Sequence, residues 1–314
     1  MSSVKIPAEF GKVAVAMGGD AAEREVSLIS GKAVLVALLE QDVNAVQFDT
    51  KDTGIEQLKA MGVDRVFNIV HGRGGEDGQL QGALELAGVP YTGSAVLGSA
   101  LGMDKLRTKL CWLGAGIPTP RWLQLNSAED IETCAKTLGF PVMVKPALEG
   151  SSLGMAKADD IDQLREAFTS ASAFACDVMA EQWVEGNEYT VAILAGEALP
   201  MIRLETPNDF YDYEAKYQTN TTQYHCPCGL SVEQENELKA LSVKAFKVLG
   251  GSGWGRVDLM LDEAGNPQLL EINTVPGMTG HSLVPMAAKQ AGIDFKQLVW
   301  RILETSLMQA REAK

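Results

Sequence analysis

Two apolar segments joined by a short polar turn place the strongest constraint on how this chain can fold. Residues 253–262 (GWGRVDLMLD) and 267–273 (PQLLEIN) each have the composition of a β-strand, and residues 263–266 (EAGN) form a turn between them. The pattern predicts an antiparallel hairpin. Because side chains alternate between the two faces of a strand, Glu271 and Asn273 are expected to point the same way.

One face of the predicted hairpin gathers four polar side chains. Arg256 and Asp258 share a face of the first strand and are expected to lie beside Glu271 and Asn273. Two carboxylates and a carboxamide are hard oxygen ligands, which suit Mg²⁺ or Mn²⁺ and leave positions open for phosphate oxygens. These strands carry no cysteine or histidine pair, so zinc is not expected. The alternative is a solvated polar face with one Arg–Asp pair; oxygen ligands on both strands favour the metal site.

The first part of the chain alternates strands with helices, a pattern typical of a parallel sheet. Strands are predicted at 12–19, 43–49 and 65–72, and helices at 22–39, 54–62 and 78–88. A smaller α+β region follows, with a helix in 103–120, strands at 141–146 and within 177–194, and a Gly/Ser loop at 147–157. Residues 205–229 form a long aperiodic stretch, and helices are predicted at 233–250 and 295–310.

Composition and charge restrict the class of protein. The chain has 314 residues, 46% hydrophobic content and a net charge of −14, which is ample for a buried core and argues against a nucleic-acid binder. Its five cysteines are scattered, which predicts reduced thiols in a cytosolic protein. The N-terminus has no signal-peptide pattern, and the densest apolar run, residues 34–39, is too short to span a bilayer. We therefore expect a cytoplasmic protein without a membrane partner.

Several features together indicate phosphate binding. Lys145 ends an apolar strand, Lys105 opens a helix and Lys216 lies in the long loop. The glycines and serines of EGSSLGM (149–155) can bring backbone N–H groups close to phosphate oxygens. No GxxxxGK[ST] loop and no GxGxxG after the first strand occur. Taken singly, each lysine is an ordinary surface residue, so the prediction depends on the combination.

Eight stretches, in order along nearly the whole chain, resemble the ATP-grasp ligases and, within them, the D-alanine–D-alanine ligases. They are 18–28 (GGDAAEREVSL), 71–82 (HGRGGEDGQLQG), 91–94 (YTGS), 103–109 (MDKLRTK), 144–155 (VKPALEGSSLGM), 211–217 (YDYEAKY), 253–261 (GWGRVDLML) and 269–288 (LLEINTVPGMTGHSLVPMAA). The resemblance implies an α/β and α+β, three-lobed ATP-grasp fold with an N-terminal parallel-sheet (pre-ATP-grasp) lobe. The implied lobes are residues 1–93 for substrate, 94–184 for the central ATP-grasp lobe and 185–314 for the catalytic and metal-binding lobe.

The resemblance also implies a nucleotide site between the second and third lobes. Lys105 and Lys145 would contact ATP phosphates and Lys216 the γ-phosphate, while Glu188 would hold the ribose. Glu181, Trp183 and Val184 would line the adenine slot. The implied ligands of two Mg²⁺ (or Mn²⁺) ions are Asp258, Glu271 and Asn273.

The implied reaction has two steps and serves peptidoglycan precursor synthesis. The carboxylate of a first D-alanine attacks the γ-phosphorus, and the amine of a second D-alanine then attacks the resulting acyl phosphate. By the family pattern Arg256 and the Gly277 N–H would stabilise the oxyanion, with small residues at 277–280 allowing the backbone to approach. Ser282 and the Leu283 backbone would hold the carboxylate of the second D-alanine. Glu23 would pair with the ammonium group of the first D-alanine, with His71 nearby.

A latch over the site is implied in the same way. Ser151 and Tyr217 are expected to hydrogen-bond to each other and to Glu23, which would exclude water from the acyl phosphate. In this family a tyrosine at the position of Tyr217 goes with an amine acceptor, so a dipeptide product is expected. Leu153, Val275 and Gly280 depart from the usual pattern beside the site, and residues 1–10 have no counterpart in it.

Two alternatives remain open at this stage. One is another ATP-grasp carboxylate–amine ligase with a different substrate pair, which the stretches at 71–78, 211–217 and 277–282 disfavour. The other is a non-catalytic ATP-binding module, which would be expected to lack Arg256 or a metal ligand, and all of these are present. A homodimer is implied by the resemblance alone.

Overall fold

The computed structural model describes residues 6–207 and 222–312, with side chains as far as Leu307. Three β-sheets follow one another along the chain. They match the α/β and α+β class predicted from the sequence. The boundaries of the three lobes, 1–93, 94–184 and 185–314, stay a prediction.

The first sheet is parallel, as the alternation of strands and helices predicts. Its strand order is β2–β1–β3. The strands are β1 (Val13–Met17), β2 (Ala45–Asp49) and β3 (Arg65–Asn68). The helices are α1 (Arg24–Leu39), α2 (Gln57–Ala60) and α3 (Gln79–Ala87). The third strand is shorter than predicted because Asn68 turns the chain: its side chain accepts from the Val70 N–H at 3.0 Å.

The second sheet is antiparallel, with strand order β4–β7–β5–β6. Its strands are β4 (Trp122–Leu125), β5 (Val142–Pro146), β6 (Ala156–Ala158) and β7 (Val178–Gln182). The helices of this region are α4 (Val96–Met103), α5 (Lys105–Gly114), α6 (Asp130–Leu138) and α7 (Ile161–Ser172). The predicted helix in 103–120 is in fact α5, which Asp104 caps by accepting from the Arg107 N–H. Helix α4 was not predicted, since its glycines weaken the helical pattern.

The third sheet carries the hairpin from which the sequence argument began. Its main order is β11–β10–β8–β12–β13, and β9 pairs with β8. The strands are β8 (Gly186–Leu194), β9 (Glu197–Ala198), β10 (Ile202–Glu205), β11 (Gln223–His225), β12 (Trp254–Asp262) and β13 (Pro267–Asn273). The helices are α8 (Val232–Val248), α9 (Leu283–Gln290) and α10 (Phe295–Glu312). Strand β11 corrects the reading of 205–229 as aperiodic throughout; three residues are too few for a visible alternation.

The first sheet and the last two helices share one hydrophobic core. Helix α10 packs against α1 and β3. The buried residues of this core come from both ends of the chain: Val13, Val15, Met17, Val34, Leu38, Val284, Leu298 and Ile302. The second sheet instead has a core of its own, formed with α6 and α7. The first sheet is therefore packed as one unit with the C-terminal helices, and the second sheet packs with α6 and α7.

Helix α1 buries small residues in addition to the apolar residues that it contributes to the core. Ser27, Ser30 and Gly31 are buried, whereas Ile29 is 57% exposed. A Cβ on Gly31 would lie 2.6 Å from the Cβ of Met17, so the close approach of α1 to β1 requires glycine. The exposed apolar side chain of Ile29 lines a cavity that is described below.

Within residues 6–207 and 222–312, no helix combines the length and apolar character that a membrane-crossing segment needs.

The extension before the first strand forms a short 3₁₀ turn, Pro7–Phe10, that is anchored at its end. Phe10 is fully buried and packs edge-on against Trp300 of α10, with ring centroids 4.9 Å apart. The Arg65 guanidinium lies over the Phe10 ring and donates its Nε–H to the Phe10 carbonyl at 2.5 Å. Residues 7–10 therefore fasten the two ends of the chain together.

We expect Phe10→Ala to lower the free energy of unfolding by about 3–5 kcal/mol, because it empties a fully buried aromatic site. Ile6→Ala is the matched control: Ile6 is 54% exposed, so its loss should change stability by less than about 0.5 kcal/mol. Urea denaturation followed by tryptophan fluorescence would measure both. Equal effects of the two substitutions would show that the turn is not an anchor.

Candidate active site

The β12–β13 hairpin aligns the predicted metal ligands as the sequence argument requires. Asp258 lies opposite Glu271, and Arg256 lies opposite Asn273. Arg256 grips Asp258 through two hydrogen bonds, Nε to Oδ1 at 2.8 Å and Nη2 to Oδ2 at 2.7 Å. Asn273 Nδ2 and Thr190 Oγ1 also donate to Asp258, at 3.0 and 2.6 Å. The Asp258 carboxylate is thus fixed from three strands.

A β-bulge interrupts this hairpin directly beside the polar cluster. The pairing steps from Asp258–Glu271 to Leu259–Leu269, so Leu270 has no partner of its own. Leu269 and Ile272 are consequently the buried residues of β13. Strict alternation would instead have buried Leu270, which lines a cavity.

The donor atoms of this cluster suit a hard cation. Asp258 and Glu271 supply carboxylate oxygens, and Asn273, whose side-chain nitrogen is committed to Asp258, supplies an amide oxygen. Across the described parts of the chain, His, Cys, Asp and Glu alone form no group of three that could hold a metal. A set of three protein ligands at this cluster would therefore need the carboxamide of Asn273. The five cysteines are free thiols, and two of them, Cys134 and Cys228, are buried.

Two cavities meet at the hairpin. The larger, of ≈ 760 Å³, is lined by Glu23, His71, Arg256, Gly277, Ser282 and Leu283, among others. The smaller, of ≈ 280 Å³, is lined by Lys145, Glu181, Trp183, Val184, Glu188 and Asp258, among others. Glu271 lines both. The larger cavity therefore contains the residues predicted to bind substrate. The smaller one contains the residues predicted to bind adenine and ribose. Glu271, a predicted metal ligand, lies between the two.

A buried ion-pair group forms one wall of the smaller cavity. Glu181 pairs with Lys145 and, at 2.7 Å, with Lys109. Burial alone would raise the pKa of Glu181, but the two ammonium groups outweigh it and hold that pKa below its usual value. Lys109 also donates to Thr119 Oγ1 at 2.6 Å, which donates to the Leu269 carbonyl of β13. Sequence reasoning gave Lys109 no role, although it belongs to the stretch 103–109.

Lys105 lines the larger cavity beside Glu271, which lines both cavities. Its Nζ lies 3.2 Å from Glu271 Oε2 and donates to the Glu149 carbonyl at 2.7 Å. An ammonium group beside a carboxylate that is predicted to bind a metal is well placed for a phosphate oxygen. Lys145 and Lys105 are both at least nine-tenths buried, so each is held by its partners rather than by solvent.

The Gly/Ser loop between β5 and β6 approaches the first lobe. Ser151 Oγ donates to Glu23 Oε1 at 2.7 Å, which is one bond of the predicted latch. Ser151 and Ser152 both have positive φ, of 51° and 58°, a strained conformation for residues other than glycine. A Cβ on Gly150 would lie 2.6 Å from Glu23 Oε1. Tyr217, the third member of the latch, and Lys216 lie outside the described residues.

Both ring nitrogens of His71 make hydrogen bonds within the protein, and these bonds support the loop after β13. Its Nδ1 lies 2.8 Å from the Val275 carbonyl, so this nitrogen carries the proton and donates. Its Nε2 accepts from Ser30 Oγ at 3.3 Å, and Ser30 Oγ accepts from the Met278 N–H at 3.1 Å. Burial lowers the pKa of His71 to about 4, so the imidazole is neutral near pH 7. These bonds fix the backbone on both sides of Gly277.

The second-substrate residues lie at the start of α9. Ser282 is its N-cap residue and Leu283 its first residue. Ser282 Oγ accepts from the Thr279 N–H at 2.9 Å, which ties the loop to the helix. A helix N-terminus presents free backbone N–H groups and a partial positive charge, which suit a carboxylate.

Glu76 is a residue of the larger cavity that sequence reasoning missed. It accepts from the Gly72 N–H at 2.9 Å and lies 4.0 Å from His71 Nδ1. Burial, reinforced by the nearby charge of Glu23, raises the pKa of Glu76 to about 8. The signal available in the sequence was only its place in the stretch 71–82. Val26 and Ile29 of α1 also line this cavity.

The comparisons with known proteins agree with this geometry. The family models for the D-ala D-ala ligase N-terminus and the D-ala D-ala ligase C-terminus match residues 47–94 and 111–304. The chain is 61% identical over 298 residues to the D-alanine–D-alanine ligase of Methylococcus capsulatus, a match that covers 95% of this chain and 96% of that protein.

Solved structures give the same result. The D-alanine–D-alanine ligase of Bacillus anthracis superposes with a TM-score of 0.85 at 35% identity, covering 96% of this chain and 99% of that one. The ligase from the same organism complexed with ATP superposes with a TM-score of 0.82 at 31% identity and the same coverage. These matches confirm the ATP-grasp ligase fold predicted from the sequence.

We expect Glu76→Gln to make the protein more stable than the wild type at pH 8 but not at pH 5. A carboxyl whose folded-state pKa is raised from 4.5 to about 8 costs stability as pH rises through that window, at a slope of up to about 1.4 kcal/mol per pH unit. Glutamine keeps the acceptor for the Gly72 N–H and removes the titration. Thermal unfolding of both proteins at pH 5, 6.5 and 8 would measure the difference.

Glu263→Gln, in the exposed turn of the hairpin, is the control. Its melting temperature should follow that of the wild type at every pH. A difference between Glu76→Gln and wild type that stays constant with pH would contradict the raised pKa.

Proposed function

The chain belongs to the D-alanine–D-alanine ligase family, and from that premise we propose that it joins two D-alanine molecules into D-alanyl-D-alanine while converting ATP to ADP and phosphate. The observation that carries the proposal is the meeting of the two cavities at Glu271. A phosphoryl group held there can be reached from the nucleotide side and from the substrate side. The dipeptide would serve the synthesis of peptidoglycan precursors.

Asp258, Glu271 and Asn273 are proposed to hold Mg²⁺ or Mn²⁺. Their oxygen donors, at matched positions on two paired strands, fit a hard cation. When bound, such ions neutralise charge on the phosphate oxygens. The protein adds its own cations: Lys105 is buried beside Glu271, Lys145 is buried in an ion pair with Glu181, and both are proposed to contact phosphate.

The nucleotide is proposed to occupy the smaller cavity. Trp183 and Val184, which follow β7, line it together with the Glu181 and Glu188 carboxylates. Lys157 lies over the Trp183 ring, 5.1 Å from its centroid, and so fixes the orientation of the indole. We assign Glu181, Trp183 and Val184 to the adenine and Glu188 to the ribose, with Lys216 reaching the γ-phosphate.

In the first step, the carboxylate of one D-alanine attacks the γ-phosphorus of ATP, and ADP leaves. Glu23 is assigned to the ammonium group of this D-alanine, because its carboxylate is buried at the wall of the substrate cavity and accepts from Ser151. Tyr217 is proposed to complete the latch. A closed Gly/Ser loop keeps water from the acyl phosphate that forms.

In the second step, the amine of the other D-alanine attacks the acyl carbon, and phosphate leaves. Arg256 and the Gly277 N–H, which line the larger cavity, are proposed to stabilise the oxyanion of the tetrahedral intermediate. The His71–Ser30 bonds hold the flanking Val275 and Met278 backbone in place. Ser282 and the N–H of Leu283, at the start of α9, are assigned to the acceptor's carboxylate.

Location and assembly belong to the same proposal. Free cysteines and dependence on ATP support the cytoplasm. A homodimer is supported by exposed apolar side chains on two helices that pack together, Leu97 of α4 and Leu110 and Leu113 of α5. Light scattering in solution would test the dimer. The three lobes are proposed to end near residues 93 and 184, where the chain leaves one sheet for the next.

We expect the protein to release phosphate from Mg-ATP with D-alanine but not with L-alanine, and to form a product with the mass of D-alanyl-D-alanine. D-Lactate added with D-alanine should give no ester product. Arg256→Ala should lower kcat by roughly 10²–10³-fold, because it removes an oxyanion donor. Coupled phosphate assays with mass spectrometry of the products would measure these outcomes.

Arg301→Ala, an exposed arginine of α10, is the control and should retain full activity. ATP binding by Arg256→Ala would show that the variant is folded. Phosphate release with other carboxylates but not with D-alanine would assign the chain a different substrate pair. ATP binding without any phosphate release would indicate a non-catalytic module.

A further inference from the structure

A single guanidinium joins the first lobe to the Gly/Ser loop (147–157) and to the backbone of a residue that packs against the far end of that loop. Arg73 lies in the loop after β3, and its Nη2 is 2.7 Å from Glu149 Oε1. The same nitrogen donates to the Phe174 carbonyl at 3.1 Å. Glu149 begins the Gly/Ser loop, and the Phe174 ring packs against Gly154 near its end, where an added Cβ would lie 2.4 Å from the ring. Arg73 therefore contacts Glu149 within the loop and Phe174, the residue that packs against Gly154.

Glu149 continues this connection into the catalytic hairpin. Its carbonyl accepts from Lys105 Nζ at 2.7 Å, and Lys105 Nζ lies 3.2 Å from Glu271 Oε2. One chain of contacts thus runs from the first lobe through the Gly/Ser loop to a proposed phosphate-binding lysine and a proposed metal ligand. The Glu149 side chain is only 15% exposed, so its carboxylate is held in place by Arg73 rather than by solvent.

Arg73 and Glu149 do not act by touching substrate. Among the described residues that line the two cavities, neither of them occurs, whereas their neighbours Gly150 and Ser151 do. The loop itself is under conformational strain at Ser151 and Ser152, whose positive φ values require outside support. The Ser151–Glu23 hydrogen bond gives support at the substrate, and Arg73 gives it on the outer side.

We propose that Arg73 is a positioning residue that holds the Gly/Ser loop closed while the acyl phosphate exists. The inference rests on the proposed function. When the loop opens, water attacks the acyl phosphate in place of the acceptor amine and returns D-alanine and phosphate. Loss of Arg73 therefore uncouples phosphate release from dipeptide formation, and the chemical groups at the reacting atoms stay intact.

The test is the ratio of phosphate released to dipeptide formed, measured at saturating D-alanine and ATP. The wild type should give a ratio near one. Arg73→Ala should raise the rate of uncoupled phosphate release by roughly twofold to fivefold, the change in the open-to-closed ratio expected for loss of one partly exposed ion pair. Glu149→Gln should act in the same direction, and the double variant should be no worse than Arg73→Ala, because both remove the same contact.

Arg165→Ala is the matched control: Arg165 makes an exposed ion pair with Asp162 within α7 and should leave the ratio unchanged. Arg73→Lys keeps the charge and should restore much of the coupling. A ratio near one in both Arg73→Ala and Glu149→Gln, with only a lower melting temperature or kcat, would reduce Arg73 to a structural role and overturn the inference. A wild type that forms no dipeptide would instead contradict the proposed function.

Discussion

The register between β12 and β13 is the constraint on which the rest of the site depends. A shift of one residue would turn Asp258 away from Glu271 and Asn273, because neighbouring strand residues face opposite sides. Two features hold the register: the tight turn, in which Asp262 accepts from the Ala264 and Asn266 N–H groups, and the buried pair Leu269 and Ile272. Because of the bulge between Leu269 and Ile272, both leucine and isoleucine are buried while Glu271 still lies opposite Asp258.

The sequence predicts most of this hairpin but not its bulge. The turn residues and the alternation in β12 indicate two strands and a shared polar face, and the structure confirms the pairing of Asp258 with Glu271. The choice of Leu269 over Leu270 for the core depends on what packs beneath the sheet, which a local pattern does not contain. The same limit explains α1, where Ser27, Ser30 and Gly31 are buried because a neighbouring strand comes close. Likewise, Glu76 and Arg73 acquire their roles only through partners distant in sequence or in another lobe.

The distribution of the cores explains where the molecule can open. The first lobe shares a core with the C-terminal helices, and Trp112 of α5 is buried against α8, donating to the Ala245 carbonyl at 3.1 Å. The second sheet has a separate core with α6 and α7. That sheet meets α5 through a small buried cluster, Leu106 with Ala147 and Met179. Polar contacts at the Gly/Ser loop, Arg73–Glu149 and Ser151–Glu23, are therefore proposed to contribute to closure over the substrates.

A net charge of −14 is compatible with a nucleotide site because the described lysines there each have a carboxylate partner. Lys105 is held by Glu271, and Lys109 and Lys145 by Glu181. A buried lysine without such a partner would lose its proton, and a buried glutamate without one would gain a proton. Among the described residues, Glu76 has no lysine or arginine as an ion-pair partner, and burial raises its pKa to about 8. The lysines therefore stay charged where phosphate is expected. Beside Glu23, the raised pKa favours the neutral form of Glu76, so one carboxylate remains for the ammonium group of the first D-alanine.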